Sequence, residues 1–172
     1  VRLRRFGVSI ETILVPTDFS DDARAALEAA IDLAESFDAR LVVVHAYYVD
    51  IPAVYGGVGG ISGDFLVPGD VVAPVREGAE QAVERLLEEL RGRGIEADGS
   101  AVMRDAAGAI LQEAERVGAD LIVMGTTGAR GLREIVLDSV ACEVLESAPC
   151  PVLAGPEQAI FDGAIDNIAF TT

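Results

Sequence analysis

The chain has 172 residues and a formal net charge of −16 at pH 7, and 51% of its residues are hydrophobic. This length favours one domain spanning residues 1–172, and the apolar content excludes an intrinsically disordered chain. The acidic excess argues against nucleic-acid and anionic-membrane partners, because the general field of such a protein repels phosphates.

The 13 basic residues are all Arg. Two explanations of this acidic, Lys-free composition stay open. The acidic surface serves solubility, or the protein comes from a high-salt cytoplasm in which dense carboxylates hold water. No apolar stretch reaches the roughly 20 residues of a membrane span. Arg2, Arg4 and Arg5 near the start are not followed by the apolar core of a signal peptide. We therefore expect a cytoplasmic protein.

Apolar runs and helical stripes alternate along the chain. Continuous apolar runs predict buried strands, and apolar residues at helical spacing predict helices between them. The predicted strands are Thr12–Pro16, Leu41–Ala46, Ser100–Met103, Asp120–Gly125 and Pro151–Ala154. This alternation predicts a doubly wound α/β fold with a parallel sheet and helices on both faces.

Local signals mark where the helices begin and end. Ser20 is the expected cap of the first helix, and Asp21 and Asp22 are expected to form its solvated first turn. A second helix follows Pro74 and ends at Gly92. The third helix contains Ile110 to Val117. The fourth helix begins at Ser139 and contains Val140 to Leu145.

Two segments lie outside this pattern. Residues 48–74 are rich in Gly and Pro and predict a flexible insertion, with or without a short helix in it, and residues 156–172 predict an acidic tail beyond a core of residues 12–155. Cys142 and Cys150 do not suggest a disulfide framework, and we expect both to be small buried residues. The chain has no His and Cys spacing for a zinc site.

Candidate binding residues follow the first and fourth strands. Pro16-Thr17-Asp18 ends the first strand, and a loop with Gly125, Gly128 and Gly131 follows the fourth. Glycines allow close backbone approach, and the next helix offers free N–H groups to an anion. These residues alone leave two alternatives open, a phosphate cradle and a purely structural connection.

Four segments together resemble the universal stress protein (UspA-like) family. They are ILVPTDFS from Ile13, the strand ending at His45, ADLIVMGTTGARGL from Ala119, and DSVACEVLESAPCPVLA from Asp138. The resemblance covers Thr12 to Gly155 and implies a Rossmann-like fold with strand order 3-2-1-4-5. It also implies a cleft that some members of the family use for ATP.

The resemblance assigns nucleotide-binding positions one by one. They are Pro16, Thr17, Asp18, Ala46, Met124, Gly125, Gly128, Arg130, Asp138, Ser139 and Val140. Arg130 could reach phosphates or be a surface charge, and Asp18 and Ser139 could serve only as local caps. The resemblance implies no catalytic residue and no metal held by side chains.

Asp138 departs from the pattern, because the family's ATP-binding members have Gly before the Ser at this point. A carboxylate there would repel a polyphosphate, unless salt or Mg²⁺ weakens the repulsion. Asp138 would also cap the following helix without any ligand. The cleft is therefore expected either to bind ATP or AMP, with Mg²⁺, or to bind no nucleotide.

The expected function is that of a stress-response regulatory module rather than an enzyme. Two alternatives remain: a dimeric interaction module that binds no nucleotide, and a slow ATP hydrolase dependent on Asp138. The resemblance also implies a homodimer that pairs residues 151–154 across a two-fold axis. The apolar edge of that strand would otherwise stand exposed.

Overall fold

A computed structural model describes residues 9–49, 69–126 and 139–155 of the chain. Within those ranges strands and helices alternate, as the sequence predicts. The elements are β1 (Thr12–Pro16), α1 (Asp21–Phe37), β2 (Arg40–Tyr47), α2 (Gly69–Gly92), β3 (Ala97–Met103), α3 (Ala106–Val117), β4 (Leu121–Gly125), α4 (Ser139–Ser147) and β5 (Val152–Gly155).

The strands form one parallel sheet in the order β3-β2-β1-β4-β5, which confirms the predicted fold. β1 lies in the middle, where Leu14 is in register with Val42 of β2 on one side and Ile122 of β4 on the other. The chain adds β2 and β3 to one side of β1, and then β4 and β5 to the other. This reversal places a crevice beyond the carboxyl ends of β1 and β4.

Alternate residues of β1 enter two separate cores on the two faces of the sheet. Ile13 and Val15 pack with residues of α1 and α2, and Leu14 packs with residues of α3 and α4. All three side chains are fully buried, and each contributes about 1.5–3 kcal/mol by leaving water. Burial on both faces explains why the central strand β1 is continuously apolar from Ile13 to Pro16.

Two helices that begin beside the crevice are capped by their own side chains. The Ser20 hydroxyl accepts a hydrogen bond from the Ala23 N–H, with a distance of 3.2 Å between oxygen and nitrogen. Oδ2 of Asp105 accepts one from the Gly108 N–H at 2.7 Å. These caps satisfy N–H groups that would otherwise be free at the starts of α1 and α3.

The start of α2 differs from the prediction. The helix begins at Gly69, so Gly69–Pro74 are helical rather than part of an insertion, and Pro74 lies inside the helix. Proline removes one N–H from the hydrogen-bond ladder of a helix. Pro74 occupies an exposed position of α2. Residues 50–68 of the predicted insertion, and the predicted tail 156–172, lie outside the described residues.

The prediction that Cys142 is buried is wrong. Ala141 and Val144 turn toward the core of the sheet, and Cys142 lies on the exposed face of α4. Cys150 is half-buried, and burial, with a smaller contribution from the charge of Asp120, raises the pKa of its thiol. Among the described residues, no helix combines the length and the apolar character needed to cross a bilayer.

Candidate functional site

A cleft opens at the carboxyl ends of β1, β2 and β4, with a volume of about 120 Å³. One water needs only about 10–15 Å³ of such space, so the cleft has room for a small-molecule ligand. Its lining comprises Pro16, Thr17, Asp18, Ser20, Asp22, Ala23, Val44, Ala46, Ala106, Ile110, Met124, Gly125, Val140 and Ala141.

The turn that leaves β1 forms one wall of the cleft and is tied down at several points. The Thr17 N–H donates to the Val44 carbonyl at 2.9 Å, which fastens the turn to β2. The Thr17 hydroxyl accepts from the Phe19 N–H, and Oδ1 of Asp18 accepts from the Ser20 N–H, both at 3.0 Å. These bonds hold Phe19 at a φ of 62°, a conformation that is strained for a bulky residue.

His45 holds the same turn from the side of β2. Its Nδ1 lies 2.8 Å from the carbonyl oxygen of Thr17. A carbonyl can only accept, so Nδ1 carries the proton and donates it. The Phe19 ring lies against the imidazole, with 4.7 Å between the ring centroids. The imidazole therefore positions this turn.

The floor of the cleft is formed where α1 meets the end of β4. A Cβ atom at Gly125 would overlap Oδ2 of Asp22 and would lie 2.8 Å from its Cγ. Asp22 itself is only 7% exposed. The prediction that Asp22 is a solvated residue of the first helical turn is therefore wrong, since its side chain turns inward against the backbone of β4.

The family model for the universal stress protein family matches residues 9–155. The chain belongs to the universal stress protein family. Universal stress protein MJ0531 of Methanocaldococcus jannaschii is 36% identical over 141 residues, covering 82% of this chain and 79% of that protein. Universal stress protein YxiE of Bacillus subtilis is 32% identical, covering 82% of this chain and 95% of that one.

Solved structures show the same fold. MJ0577, also of Methanocaldococcus jannaschii, has a TM-score of 0.71 at 27% identity, covering 86% of this chain and 96% of its own. A universal stress protein from Archaeoglobus fulgidus, solved in complex with dAMP, has a TM-score of 0.55 at 23% identity, covering 86% of this chain and 98% of its own. At that identity the second likeness establishes the fold alone.

Most of the predicted positions that the structure describes line one cleft in this universal stress protein. They are Pro16, Thr17, Asp18, Ala46, Met124, Gly125 and Val140. Ser139 begins α4 next to Val140 but does not line the cleft. Gly128, Arg130 and Asp138 lie outside the described residues. That these positions bind a nucleotide stays a prediction.

Sequence reasoning missed the lining residues that the helices contribute. Ala106 and Ile110 stand four residues apart on α3, a spacing that places both on the same helix face. Asp22 and Ala23 come from the first turn of α1. Helical periodicity could have grouped these residues on one face, but only the packing of the helices on the sheet shows that this face meets the cleft.

The charges of this lining are all negative among the described residues. Of the residues that the structure describes, Asp18 and Asp22 are the acidic side chains in the lining, and no Arg or His among them belongs to it. Arg104 lies two residues before Ala106, but its guanidinium bonds Gln112 at 2.6 Å and lies 3.6 Å from Asp105. In the described part of the chain, no three His, Cys, Asp or Glu side chains converge as metal ligands.

Proposed function

We propose that the cleft of this universal stress protein binds an adenine nucleotide or a related adenine compound, and that binding regulates how the protein engages its partners. The observation that carries the proposal is the place of the cleft, beyond the ends of β1 and β4 where the strand order reverses. Parallel sheets of this kind bind nucleotides at that point.

The chemistry of the lining supports an adenine compound. Val44, Ile110 and Met124 offer apolar surfaces suited to a flat base, and Thr17 and Asp18 offer oxygens suited to ribose hydroxyls. Solved proteins of this fold include a dAMP complex and an Arabidopsis thaliana protein with AMP bound. Those likenesses concern the fold, and it is the lining of this chain's own cleft that supports an adenine compound.

Phosphates would extend from the base toward the loop after β4 and the start of α4. For that region we propose the predicted positions Gly128, Arg130, Asp138 and Ser139 as phosphate neighbours. Mg²⁺ would accompany ATP there, because it offsets the repulsion between a polyphosphate and nearby carboxylates.

We propose a binding role without dedicated catalysis. A nucleotide hydrolase needs a base or a water-positioning group near the terminal phosphate. The one His of the chain donates from Nδ1 to the Thr17 carbonyl instead. Single-turnover release of phosphate from ATP, lost in Asp138→Asn, would contradict this part of the proposal. We place the protein in the cytoplasm, where adenine nucleotides are abundant.

We also propose that the protein forms a homodimer through β5. β5 lies at one edge of the sheet and pairs with β4 on its inner side. An edge strand with free backbone groups is a template for pairing with a second chain. Pairing between two copies would leave the cleft at the carboxyl ends of β1 and β4 open.

Isothermal titration calorimetry with adenosine, AMP and ATP, with and without Mg²⁺, tests the binding proposal. Ala106→Trp places a large ring in the cleft lining and is expected to abolish binding. Val75→Trp is the matched control, because Val75 is 39% exposed and lies outside the lining. The proposal would be overturned if none of the three ligands gave binding heat at about 1 mM. A dissociation constant of that size corresponds to a binding free energy of about −4 kcal/mol.

A further inference from the structure

The inward side chain of Asp22 gives the cleft an electrostatic property that the family resemblance does not assign. The carboxylate lies against Gly125, the residue at which β4 ends and the predicted phosphate loop begins. It also belongs to the cleft lining together with Asp18. A ligand in the cleft therefore meets negative charge where it enters the phosphate side.

From this placement we propose that Asp22 makes the cleft select adenine compounds of low negative charge, such as adenosine, over ATP without a divalent cation. The inference rests on the proposed function and names its ligand class. Asp22 also has a partner within the protein.

Burial makes the charge effective at this point. Asp22 is 7% exposed, so little water stands between its carboxylate and a ligand in the cleft. Charges interact more strongly where water is excluded, and salt screens buried charges less than exposed ones. Arg24, two residues along α1, faces Glu89 at 3.6 Å and does not belong to the lining.

The first experiment compares the affinities of adenosine, AMP and ATP for the wild-type protein in EDTA at constant ionic strength. Affinity is expected to fall along this series, with ATP at least about tenfold weaker than adenosine, or about 1.4 kcal/mol. Mg²⁺ is expected to restore much of the ATP affinity and to leave adenosine unchanged. This series needs no variant, so it does not depend on how a substitution folds.

The second experiment assigns the effect to Asp22. Asp22→Asn keeps the shape of the side chain and removes its charge, so the ratio of ATP to adenosine affinity should rise at least about fivefold. Asp21→Asn is the matched control, since Asp21 is the exposed neighbour in the same helical turn. It removes the same net charge and is expected to change the ratio less than about twofold.

The outcomes separate this inference from the proposed function. Adenosine and ATP binding equally well in EDTA would overturn the inference and leave the proposed function standing. An equal effect of Asp21→Asn and Asp22→Asn would assign selectivity to the general acidic field and overturn the role of Asp22. If adenosine, AMP and ATP all fail to bind, the proposed function fails and this inference fails with it.

Discussion

The Nδ1 atom of His45 donates a hydrogen bond to the carbonyl oxygen of Thr17 across the gap between β2 and the turn after β1, with 2.8 Å between the atoms. The same turn receives a second tie from β2, because the Thr17 N–H donates to the Val44 carbonyl. Thr17 thus has both backbone polar groups fixed by β2. This arrangement holds one wall of the cleft rigid before any ligand arrives.

Replacing His45 by Phe should therefore lower the free energy of unfolding. Phe retains a ring against Phe19 but leaves the Thr17 carbonyl without its donor, a loss of about 1 kcal/mol. His45→Asn is the comparison, because its side-chain N–H₂ stands close to the position of Nδ1 and can still donate. Urea unfolding measures the stability of both variants. A loss of stability lowers the urea concentration at the unfolding midpoint, while the slope of free energy against urea stays constant. A His45→Phe protein as stable as wild type would contradict this account.

Gly125→Ala should be strongly destabilising, although the substitution adds only one methyl group. The new Cβ would overlap the Asp22 carboxylate and stand 3.1 Å from the Asp22 backbone carbonyl carbon, so α1 itself must shift. Overpacking of this kind costs about 1–3 kcal/mol. Gly78→Ala is the control: a Cβ at this helical position meets nothing within 4 Å, and the change should stabilise by about 0.5–1 kcal/mol.

A double-mutant cycle checks the cause of the Gly125→Ala effect. Asp22→Ala removes the Oδ2 and Cγ atoms that the new methyl group would meet. The combined variant should therefore be more stable than the sum of the single changes predicts, by at least about 0.5 kcal/mol. Strict additivity in thermal or urea unfolding would show that the two residues do not compete for this space.

The sequence predicted the sheet well because its signals are local and strong. Continuous apolar runs such as Leu41–Ala46 identify strands buried on both faces, and the resemblance supplied their order. The helix start at Ser20 was also predicted, since a capping hydroxyl acts within three residues of itself. These features depend on neighbours along the chain and on the repeated alternation of a strand and a helix.

The errors concern residues whose environment is set by distant parts of the chain. Asp22 follows a cap and precedes an apolar stripe, which is typical of a solvated first turn, yet the end of β4 covers it. Cys142 stands between two core residues in sequence but on the outer face of α4. Tertiary packing decides both cases, so propensity and local pattern could not.

The ion pair between Glu28 and Arg93 should make stability depend on pH in the acid range. Both guanidinium N–H₂ groups donate to the carboxylate at 2.9 Å, joining α1 to the chain just after α2. The hydrogen bond from Arg93 lowers the pKa of Glu28 below its usual 4.5. A lowered pKa in the folded state means that the stabilisation is present above 4.5 and is lost as the pH falls through the folded value.

Glu28→Gln should thus reduce stability at pH 7 by about 0.2–1 kcal/mol, the range for solvent-exposed pairs. The difference from wild type should shrink as the pH falls below 4.5, the ordinary pKa of the group. Glu80→Gln breaks the longer contact of 3.8 Å with Arg76 on α2 and should have a smaller effect. Thermal unfolding between pH 7 and acid conditions measures both, and a Glu28→Gln deficit that grows toward low pH would contradict the sign.

The proposed dimer makes a prediction about one edge of the sheet and not the other. The Pro151 carbonyl accepts from the Ile122 N–H at 3.0 Å, so Pro151 faces β4. Consecutive residues of a strand direct their backbone groups to opposite sides. The Ala154 N–H therefore points to the open edge, where a second β5 would accept it.

Ala154→Pro removes this donor without breaking the ladder to β4, and it should convert the dimer to a monomer or weaken it at least about tenfold. The matched control is Ala101→Pro on β3, the opposite edge of the sheet. The Leu41 N–H donates to the Glu96 carbonyl, so by the same alternation the Ala101 N–H points outward. Light scattering at micromolar protein should show a dimer for wild type and Ala101→Pro. A wild-type monomer, or equal dissociation of both variants, would exclude β5 as the interface.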